Sequence, residues 1–166
     1  VVKASATFAG LANGTYEVTV SYAGDDYYYA NSTNASVFVN KLVPDVMVIN
    51  VTAVIVDHDA VINVTGPADR TGKLVVNVGG VDYAVNLTNG VGQLNVTGLG
   101  SGKYNVTVSY LGDDKYLTAV NATNFTVSKV PSTVSAKADN ITVGEKAVIE
   151  IAVPIDATGN VTVRVG

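Results

Sequence analysis

The sequence predicts an all-β chain of antiparallel sandwiches, and three observations support this prediction. Its 166 residues include 33 valines and 17 threonines, and branched side chains favour pleated strands over helices. Short segments of alternating apolar and polar residues are separated by Gly, Asn and Pro turns. The chain also repeats itself every 87 to 88 residues, which is the length of a small self-contained domain.

The repeat consists of two pairs of matching segments. The run Gly14–Asp26 recurs as Gly102–Asp114 with an offset of 88 residues. The run Ala60–Gly79 recurs as Ala147–Gly166 with an offset of 87 residues. The sequence therefore predicts the second half of one repeat, one complete repeat and the first half of a third. These parts are residues 1–44, 45–131 and 132–166.

The complete repeat contains seven candidate strands. They are Val46–Ala53, Ala60–Thr65, Gly72–Val78, Val81–Leu87, Val91–Thr97, Lys103–Tyr110 and Thr118–Lys129. From Tyr104 to Tyr110 the even-numbered residues are apolar or aromatic and the odd-numbered ones small and polar, so a period of two points the first set inward. Gly79-Gly80 and Asn89-Gly90 are expected to form turns, since these residues tolerate positive φ.

One motif indicates a particular kind of sandwich. The pattern Leu-x-x-Gly-x-Tyr precedes a strand twice and ends at Tyr16 and Tyr104. It resembles the tyrosine corner of immunoglobulin-like domains, in which the hydroxyl bonds to upstream backbone. The chain has no Cys and no Trp, which excludes antibody-type domains but not the wider immunoglobulin-like architecture. A jelly roll or up-and-down barrel is less favoured, because 87 residues are few for eight strands.

A longer motif extends this resemblance to a family. The run Gly-Leu-x-x-Gly-x-Tyr-x-Val-Thr-Val-Ser-Tyr-x-Gly-Asp-Asp-x-Tyr begins at Gly10 and again at Gly98, and we place a closing Phe at Phe38 and Phe125. The motif resembles the tandem immunoglobulin-like repeats of adhesin-like surface proteins. The low-charge, Asn-, Val- and Thr-rich style is most similar to those of methanogenic archaea. The resemblance implies export, an extracellular cell-surface location and a long multi-domain parent without enzymatic activity.

Asn-x-Ser/Thr sequons are far more numerous than chance predicts. About two or three would be expected from the composition, but the chain has twelve. They begin at Asn13, Asn31, Asn34, Asn50, Asn63, Asn86, Asn95, Asn105, Asn121, Asn124, Asn140 and Asn160. One explanation is N-glycosylation, which would solubilise a surface with few charges. The other is an outward Asn/Thr strand face, because residues i and i+2 share a face.

Two acidic turns are candidate cation sites. Asp25-Asp26 and Asp113-Asp114 each follow a Gly and precede Tyr residues. Paired carboxylates could bind Ca²⁺, which takes several oxygen ligands. A polar hairpin turn is favoured, since no third or fourth acidic residue lies nearby in the sequence. We therefore expect no metal site.

Three further features have both a functional and a structural interpretation. The tyrosines Tyr27, Tyr28 and Tyr29 could contact a sugar or a neighbouring subunit, or could cover the end of a sandwich. The segment Asp57-His58-Asp59 holds the single His, and it aligns with a different sequence in the next repeat, which indicates a variable turn. Lys41 and Lys129 could form isopeptide crosslinks with Asn, although the sequence indicates no pairing.

Charge and composition exclude other classes of function. The net charge of −4 argues against nucleic-acid or anionic-membrane partners, which require a basic face. No apolar run approaches the roughly 18 residues of a membrane span. No catalytic constellation or phosphate-binding loop is present, so no cofactor is expected.

The sequence therefore predicts a structural repeat of an extracellular stalk or filament, with a carbohydrate- or protein-binding adhesin module as the alternative. The expected partners are neighbouring copies of the same repeat, joined head to tail, and N-linked glycans. The two incomplete repeats are complementary, so we expect residues 1–44 to form a composite sandwich with residues 132–166 of a neighbouring copy. The copies could belong to a single continuous polypeptide, or strands could be exchanged between subunits of a head-to-tail filament.

Overall fold

The computed structural model describes residues 3–52 and 54–166, and none of these residues is helical. They form twelve strands. The strands are β1 (Gly14–Tyr22), β2 (Asn31–Val39), β3 (Val48–Val51), β4 (Val54–Ile55), β5 (Ala60–Thr65), β6 (Gly72–Val78), β7 (Val81–Leu87), β8 (Val91–Val96), β9 (Gly102–Tyr110), β10 (Ala119–Ser128), β11 (Ser135–Ala138) and β12 (Ile149–Ala152). The described part of the chain therefore contains no helix that could span a membrane. One compact unit ends at Ser128 and a second comprises Lys129–Gly166.

Two sheets share a core in the complete repeat. The order β3-β5-β8 defines one sheet and the order β4-β10-β9-β6-β7 the other. Alternate side chains of both sheets point into one apolar cluster, in which Ile62 of β5 and Val76 of β6 are fully buried. The fold is thus all-β, as predicted, and its two sheets over one core are compatible with a β-sandwich.

The first strand differs from the prediction, whose last residue, Ala53, lies outside the described residues. In place of one strand the structure has β3, antiparallel to β5, and β4, parallel to β10. Met47, Ile49 and Val51 face inward with odd numbers, whereas the buried Val54 has an even number. A continuous strand would point Val54 outward, so the break between β3 and β4 lets both segments contribute to the core. The five-stranded sheet is therefore mixed rather than purely antiparallel.

The predicted turns lie where the glycines occur. Gly79 and Gly80 have φ values of 58° and 96° and join β6 to β7, with Val78 paired to Val81. Asn89 has a φ of 50° before Gly90. These left-handed conformations suit two-residue hairpin turns, because their twist matches that of the flanking strands.

The N-terminal hairpin repeats the strand register of the complete repeat. In β9–β10, Gly102 pairs with Val127, and in β1–β2, Gly14 pairs with Val39. The offset is 88 residues at both positions. This register corrects the prediction for Phe38, because Val37 and not Phe38 lies at the position of Phe125. Phe38 faces the opposite side of β2, since neighbouring strand residues alternate between faces.

The second unit repeats the register of the first sheet. Ser135 of β11 pairs with Ala152 of β12, as Val48 of β3 pairs with Thr65 of β5. Both offsets are 87 residues. The β1–β2 and β11–β12 pairs therefore repeat the registers of β9–β10 and β3–β5, whereas the counterparts of β4 and β6 in the second unit form no strand.

Candidate functional site

The β1–β2 hairpin exposes a face with the composition of a core. We call this the hairpin face; it comprises Tyr16, Val18, Val20, Tyr22, Val37 and Val39. In the complete repeat, Val108 and Tyr110 of β9 are 0% and 1% exposed. Their counterparts Val20 and Tyr22 are 57% and 46% exposed. The hairpin therefore carries a partly exposed apolar face, built from residue types that are buried in the complete repeat.

The second unit likewise exposes residues that match core positions. Val161 and Val163 align with the fully buried Leu74 and Val76 of β6 but are about half exposed. The alternating segment Val161–Val165 forms no strand in this unit. The alternation of valine with polar residues in this segment is typical of a strand, but the segment pairs with no strand among the described residues.

The linker after the hairpin docks on the complete repeat. The Leu42 N–H donates to the Lys115 carbonyl oxygen at 2.8 Å, and the Leu117 N–H donates to the Leu42 carbonyl oxygen at 3.0 Å. The Lys41 ammonium donates to the Asp113 carbonyl oxygen at 2.5 Å. This parallel bridge holds the linker on the loop between β9 and β10, and the linker lies within the compact unit that ends at Ser128.

A cleft lies beside this junction. Its volume is about 430 Å³, and it is lined by residues 10–13 of the hairpin approach, residues 39–42 of the linker, Asp114 and Lys115. Half of the ten lining residues are glycine or apolar, and the other half are Asn13, Asn40, Lys41, Asp114 and Lys115. The cleft therefore combines an apolar packing surface with polar side chains at the joint.

Both acidic turns use their first carboxylate to hold the loop closed. Asp113 Oδ1 accepts hydrogen bonds from the N–H groups of Lys115 and Tyr116 at 2.8 and 2.7 Å, and Oδ2 accepts from the Thr71 N–H at 3.0 Å. Burial would raise the pKa of the Asp113 carboxyl, but the hydrogen bonds from Thr71 and Tyr116 hold it well below its ordinary value. The turn interpretation of Asp113 therefore has a direct structural basis.

Asp25 repeats this arrangement in the hairpin. Its Oδ1 accepts from the N–H groups of Tyr27 and Tyr28, both at 2.8 Å, and its Oδ2 accepts from the Tyr22 hydroxyl at 2.5 Å. The Tyr22 hydroxyl and these N–H groups lower the pKa of the Asp25 carboxyl. Among the described residues, no three His, Asp or Glu side chains cluster as a metal site would require.

A buried arginine in the β5–β6 loop contacts the tyrosines on either side of the acidic turn Asp113-Asp114. It was not among the functional residues that the sequence predicts. Arg70 is fully buried, and its guanidinium carbon lies 5.2 Å from the ring centroid of Tyr110 and 5.4 Å from that of Tyr116. Its Nη2 donates to the Asp45 carbonyl oxygen at 3.1 Å, while Nε and Nη1 have no hydrogen-bond partner among residues 3–52 and 54–166. Burial and the nearby Asp113 carboxylate raise the pKa of the Tyr110 hydroxyl.

An exposed ion pair borders this arginine. Asp69 pairs with Lys115 and accepts from the Tyr116 hydroxyl at 3.0 Å. The hydrogen bonds from Lys115 and Tyr116 lower the pKa of the Asp69 carboxyl. Around Arg70 the sequence repeats Pro67, Asp69, Thr71 and Gly72 as Pro154, Asp156, Thr158 and Gly159, and that pattern does not reveal burial.

The two corner tyrosines make equivalent hydrogen bonds. The Tyr104 hydroxyl donates to the Gly100 carbonyl oxygen at 3.1 Å, and the Tyr16 hydroxyl donates to the Ala12 carbonyl oxygen at 3.0 Å. The Tyr104 ring also stacks on Phe125 with 5.6 Å between centroids. Each tyrosine thus ties the start of its strand to the backbone four residues upstream.

The Tyr27–Tyr29 cluster projects from the hairpin turn. Tyr27, Tyr28 and Tyr29 are 90%, 71% and 97% exposed. Asp25 organises the backbone that carries two of them. The complete repeat has Lys115, Tyr116 and Leu117 at these positions, and there Tyr116 is buried against Arg70.

Most sequon asparagines are exposed, and two are half-buried. The Asn121 Nδ2, the atom that carries a glycan, donates to the Met47 carbonyl oxygen at 2.6 Å. Asn63 Oδ1 accepts from Gln93 across β5 and β8 at 2.9 Å. Asn13 is exposed, and its Nδ2 donates to the Val39 carbonyl oxygen at 2.7 Å. The outward strand face of Asn63 and Gln93 agrees with a polar-face origin for part of the sequon pattern.

The last two candidate features are the segment Asp57–Asp59 and the lysines Lys41 and Lys129. Asp57, His58 and Asp59 are exposed in a turn in which the His58 N–H donates to the Ile55 carbonyl oxygen at 3.1 Å. Lys41 reaches a backbone carbonyl rather than an asparagine side chain, and Lys129 is exposed.

Comparisons with models of protein families, with curated proteins and with solved structures give no significant match.

Proposed function

We propose that this chain is a non-enzymatic structural segment of an extracellular, adhesin-like stalk or filament, built from immunoglobulin-like repeats joined head to tail. The observation that carries the proposal is the docked linker: Leu42 bridges to the β9–β10 loop through two backbone hydrogen bonds. A linker fixed in this way gives successive repeats a defined geometry. Free Gly/Ser linkers would instead behave as flexible coils.

The immunoglobulin-like assignment is supported by strand order and by the tyrosine geometry. A three-stranded sheet faces a five-stranded sheet over one core, and the first strand is divided between them. The Tyr104 hydrogen bond to upstream backbone is the interaction expected of a tyrosine corner. The recurrence of both strand registers in the flanking segments supports a tandem array.

The surface location is supported by the sequons. Exposed asparagines such as Asn95 and Asn105 lie on outward strand positions, where glycans would extend into solvent. Glycans there would compensate for the small number of charged side chains. Family resemblance supports the same location and an archaeal source.

Labelling of intact cells tests the proposal. Antibodies raised against the 166-residue protein should decorate the outer surface of intact source cells, and external protease should remove the label. Antibodies against a cytoplasmic protein of the same cells are the control and should bind only after permeabilisation. Labelling that requires permeabilisation would refute the surface assignment.

A second candidate function is a binding module, and the exposed Tyr27–Tyr29 cluster favours it. Aromatic rings with free faces stack on sugars and contact proteins. A glycan array would distinguish the two: the wild-type protein should bind a sugar that the Tyr27→Ala/Tyr29→Ala variant does not. Binding that is unchanged in this variant would exclude the cluster as the binding surface.

A further inference from the structure

We propose that Arg70 is the positioning residue of the joint between the β1–β2 hairpin and the complete repeat, because its buried guanidinium holds both ends of the linker segment 42–45. This inference rests on the proposed stalk of tandem repeats and names the side chain that fixes the geometry of one of its joints. Three groups of contacts support it: those at the end of the linker segment, those at its start, and those of the loop on which the linker docks.

The end of the linker segment is held by a hydrogen bond from the arginine. Arg70 Nη2 donates to the Asp45 carbonyl oxygen at 3.1 Å. Asp45 is exposed, but Met47 is buried in the core two residues later, and its carbonyl oxygen accepts from Asn121 Nδ2 at 2.6 Å. The arginine therefore contacts the chain at the point where it leaves the surface and enters the sandwich.

The start of the linker segment is held through Tyr116. The Arg70 guanidinium carbon lies 5.4 Å from the Tyr116 ring centroid, and Tyr116 is buried. The backbone of Tyr116 forms the parallel bridge with Leu42, in which the N–H groups of Leu42 and Leu117 are the donors. The Leu42 side chain is half exposed, so the bridge depends mainly on where the backbone around Tyr116 lies. A single arginine thus acts on both ends of the segment.

The neighbours of Arg70 hold the same docking loop. Asp69 accepts from the Tyr116 hydroxyl at 3.0 Å, and the Thr71 N–H donates to the Asp113 carboxylate at 3.0 Å. Asp69 and Thr71 are exposed, where water competes for polar contacts and reduces their contribution. Arg70 is fully buried between them, so its contact with the Tyr116 ring is the one that is shielded from water.

Closing the core does not by itself require a charge at this position. Burial of a guanidinium costs free energy, and buried charged groups are often replaced by apolar residues without loss of stability. The aligned residue of the second unit is Ala157, so the repeat sequence does not fix an arginine here. Directional contacts explain the arginine better, because an apolar side chain cannot donate to Asp45 or place a cation against the Tyr116 ring.

Amide hydrogen exchange of the full chain tests this role. Arg70→Met keeps a long side chain but removes the donor and the cation. The Leu42 and Leu117 amides, which form the bridge, should exchange about tenfold faster, since a buried cation–π contact is lost. Amides within β9 should keep their wild-type rates. Lys73→Met is the matched control, because it removes an exposed cation of the same region and should leave the bridge amides unchanged.

A double-variant cycle keeps the test decisive if Arg70→Met also weakens the core. Leu42→Pro disrupts the bridge, and the exchange rate of the Leu117 amide is compared with that of amides within β9 in each variant. If Arg70 acts through the bridge, adding Arg70→Met to Leu42→Pro should not increase this ratio further. Independent, multiplicative effects of the two changes would overturn the inference.

The distance between two spin labels gives a readout that core packing alone would not change. The chain has no Cys, so Thr19→Cys on β1 and Ala84→Cys on β7 introduce one exposed label on the hairpin and one on the complete repeat. The distance distribution should be broader with Arg70→Met than with Arg70, and as broad as with Leu42→Pro. Equal widths with Arg70 and with Arg70→Met would overturn the inference.

Failure of this inference and failure of the stalk function give different results. Unchanged exchange and unchanged distances in Arg70→Met would refute the role of Arg70 and leave the surface labelling of cells unaffected. Labelling that requires permeabilisation would refute the stalk function, whereas the exchange and distance measurements on the isolated chain would still stand.

Discussion

The Arg70 guanidinium lies 5.2 Å from the ring of Tyr110, in a position that a glycine at residue 66 makes accessible. A fully buried cation with two unpaired nitrogens is rare, because desolvation is costly. The Tyr110 and Tyr116 rings offset this cost through their negative faces. The complete repeat therefore closes one end of its core with a charged side chain, whereas the residues of the second unit that align with Gly66 and Arg70 are Val153 and Ala157.

Arg70→Ala should destabilise the complete repeat, because it leaves a cavity between the two tyrosine rings. We expect a loss of about 2–4 kcal/mol in the free energy of unfolding. Gly66→Val alone should also destabilise, since its side chain overlaps Arg70. The double variant should recover at least half of the summed loss, measured by denaturant unfolding. Additive losses would contradict a steric overlap between the side chains at positions 66 and 70, and the exposed change Lys103→Ala serves as the control.

Acid should destabilise the complete repeat through Asp113. The pKa of its carboxyl is lower in the folded state than the ordinary value of about 3.9, so this stabilisation is present above pH 4 and is lost as the pH falls below it. The melting temperature should be level from pH 7 to 5 and decrease below pH 4. The pKa of the Asp69 carboxyl is also lowered in the folded state, so protonation of Asp69 contributes to the loss of stability in the same pH range.

Asp113→Asn should lower the melting temperature at pH 7 and reduce its dependence on acid. The amide Nδ2 cannot accept the Thr71 N–H, so part of the turn is lost at every pH. Asp114→Asn is the matched control, because the turn hydrogen bonds end on Asp113 and not on Asp114. An acid profile of Asp113→Asn identical to the wild-type profile would exclude Asp113 as the responsible group.

Leu42→Pro should release the linker from the β9–β10 loop. Proline has no N–H to donate to Lys115 and cannot maintain the bridge. Amide hydrogen exchange of Leu117 should accelerate, whereas the amides within β9 should remain protected. Val43→Ala, a change at an exposed neighbour, should leave Leu117 protected. Unchanged protection in Leu42→Pro would mean that the bridge does not hold the joint.

If the sequons are glycosylated, the glycans should be found on the exposed asparagines. Glycopeptide mapping of the protein from its source should find glycans on Asn95 and Asn105 but not on Asn121. Asn121 is half-buried and its Nδ2 donates to the Met47 carbonyl oxygen, so a bulky glycan on this nitrogen would compete with that contact. Removal of glycans by enzyme provides the mass control. Occupancy of Asn121 equal to that of Asn105 would contradict this prediction.

Local signals were sufficient for much of the fold. The bounds of β5, β6 and β7 match the prediction to the residue, because alternation and flanking glycine turns encode them within a few neighbours. The break between β3 and β4 was missed, since it depends on which sheet each half joins. β3 pairs with β5 and β4 pairs with β10, so the position of the break is not encoded within the segment itself.

The residues of the candidate site were harder to predict from the sequence than the strands were. Arg70 lies in a loop with ordinary turn composition, and its burial follows from two tyrosines 40 and 46 residues away. Phe38 was misassigned because a phenylalanine resembles a core residue, whereas the strand register places Val37 there. A shift of one residue in strand register moves every side chain of the strand to the other side of the sheet. This error therefore placed Phe38 on the wrong face of β2.

The parallel pairing of β4 with β10 has a mechanical consequence. β4 lies near the start of the complete repeat and β10 at its end, and Val54 is opposite Val127. Tension applied to the two ends would slide these strands past one another, so their hydrogen bonds would have to break together rather than in succession. The two residue pairs between β4 and β10 thus resist shear at the point where a pulling force enters the domain.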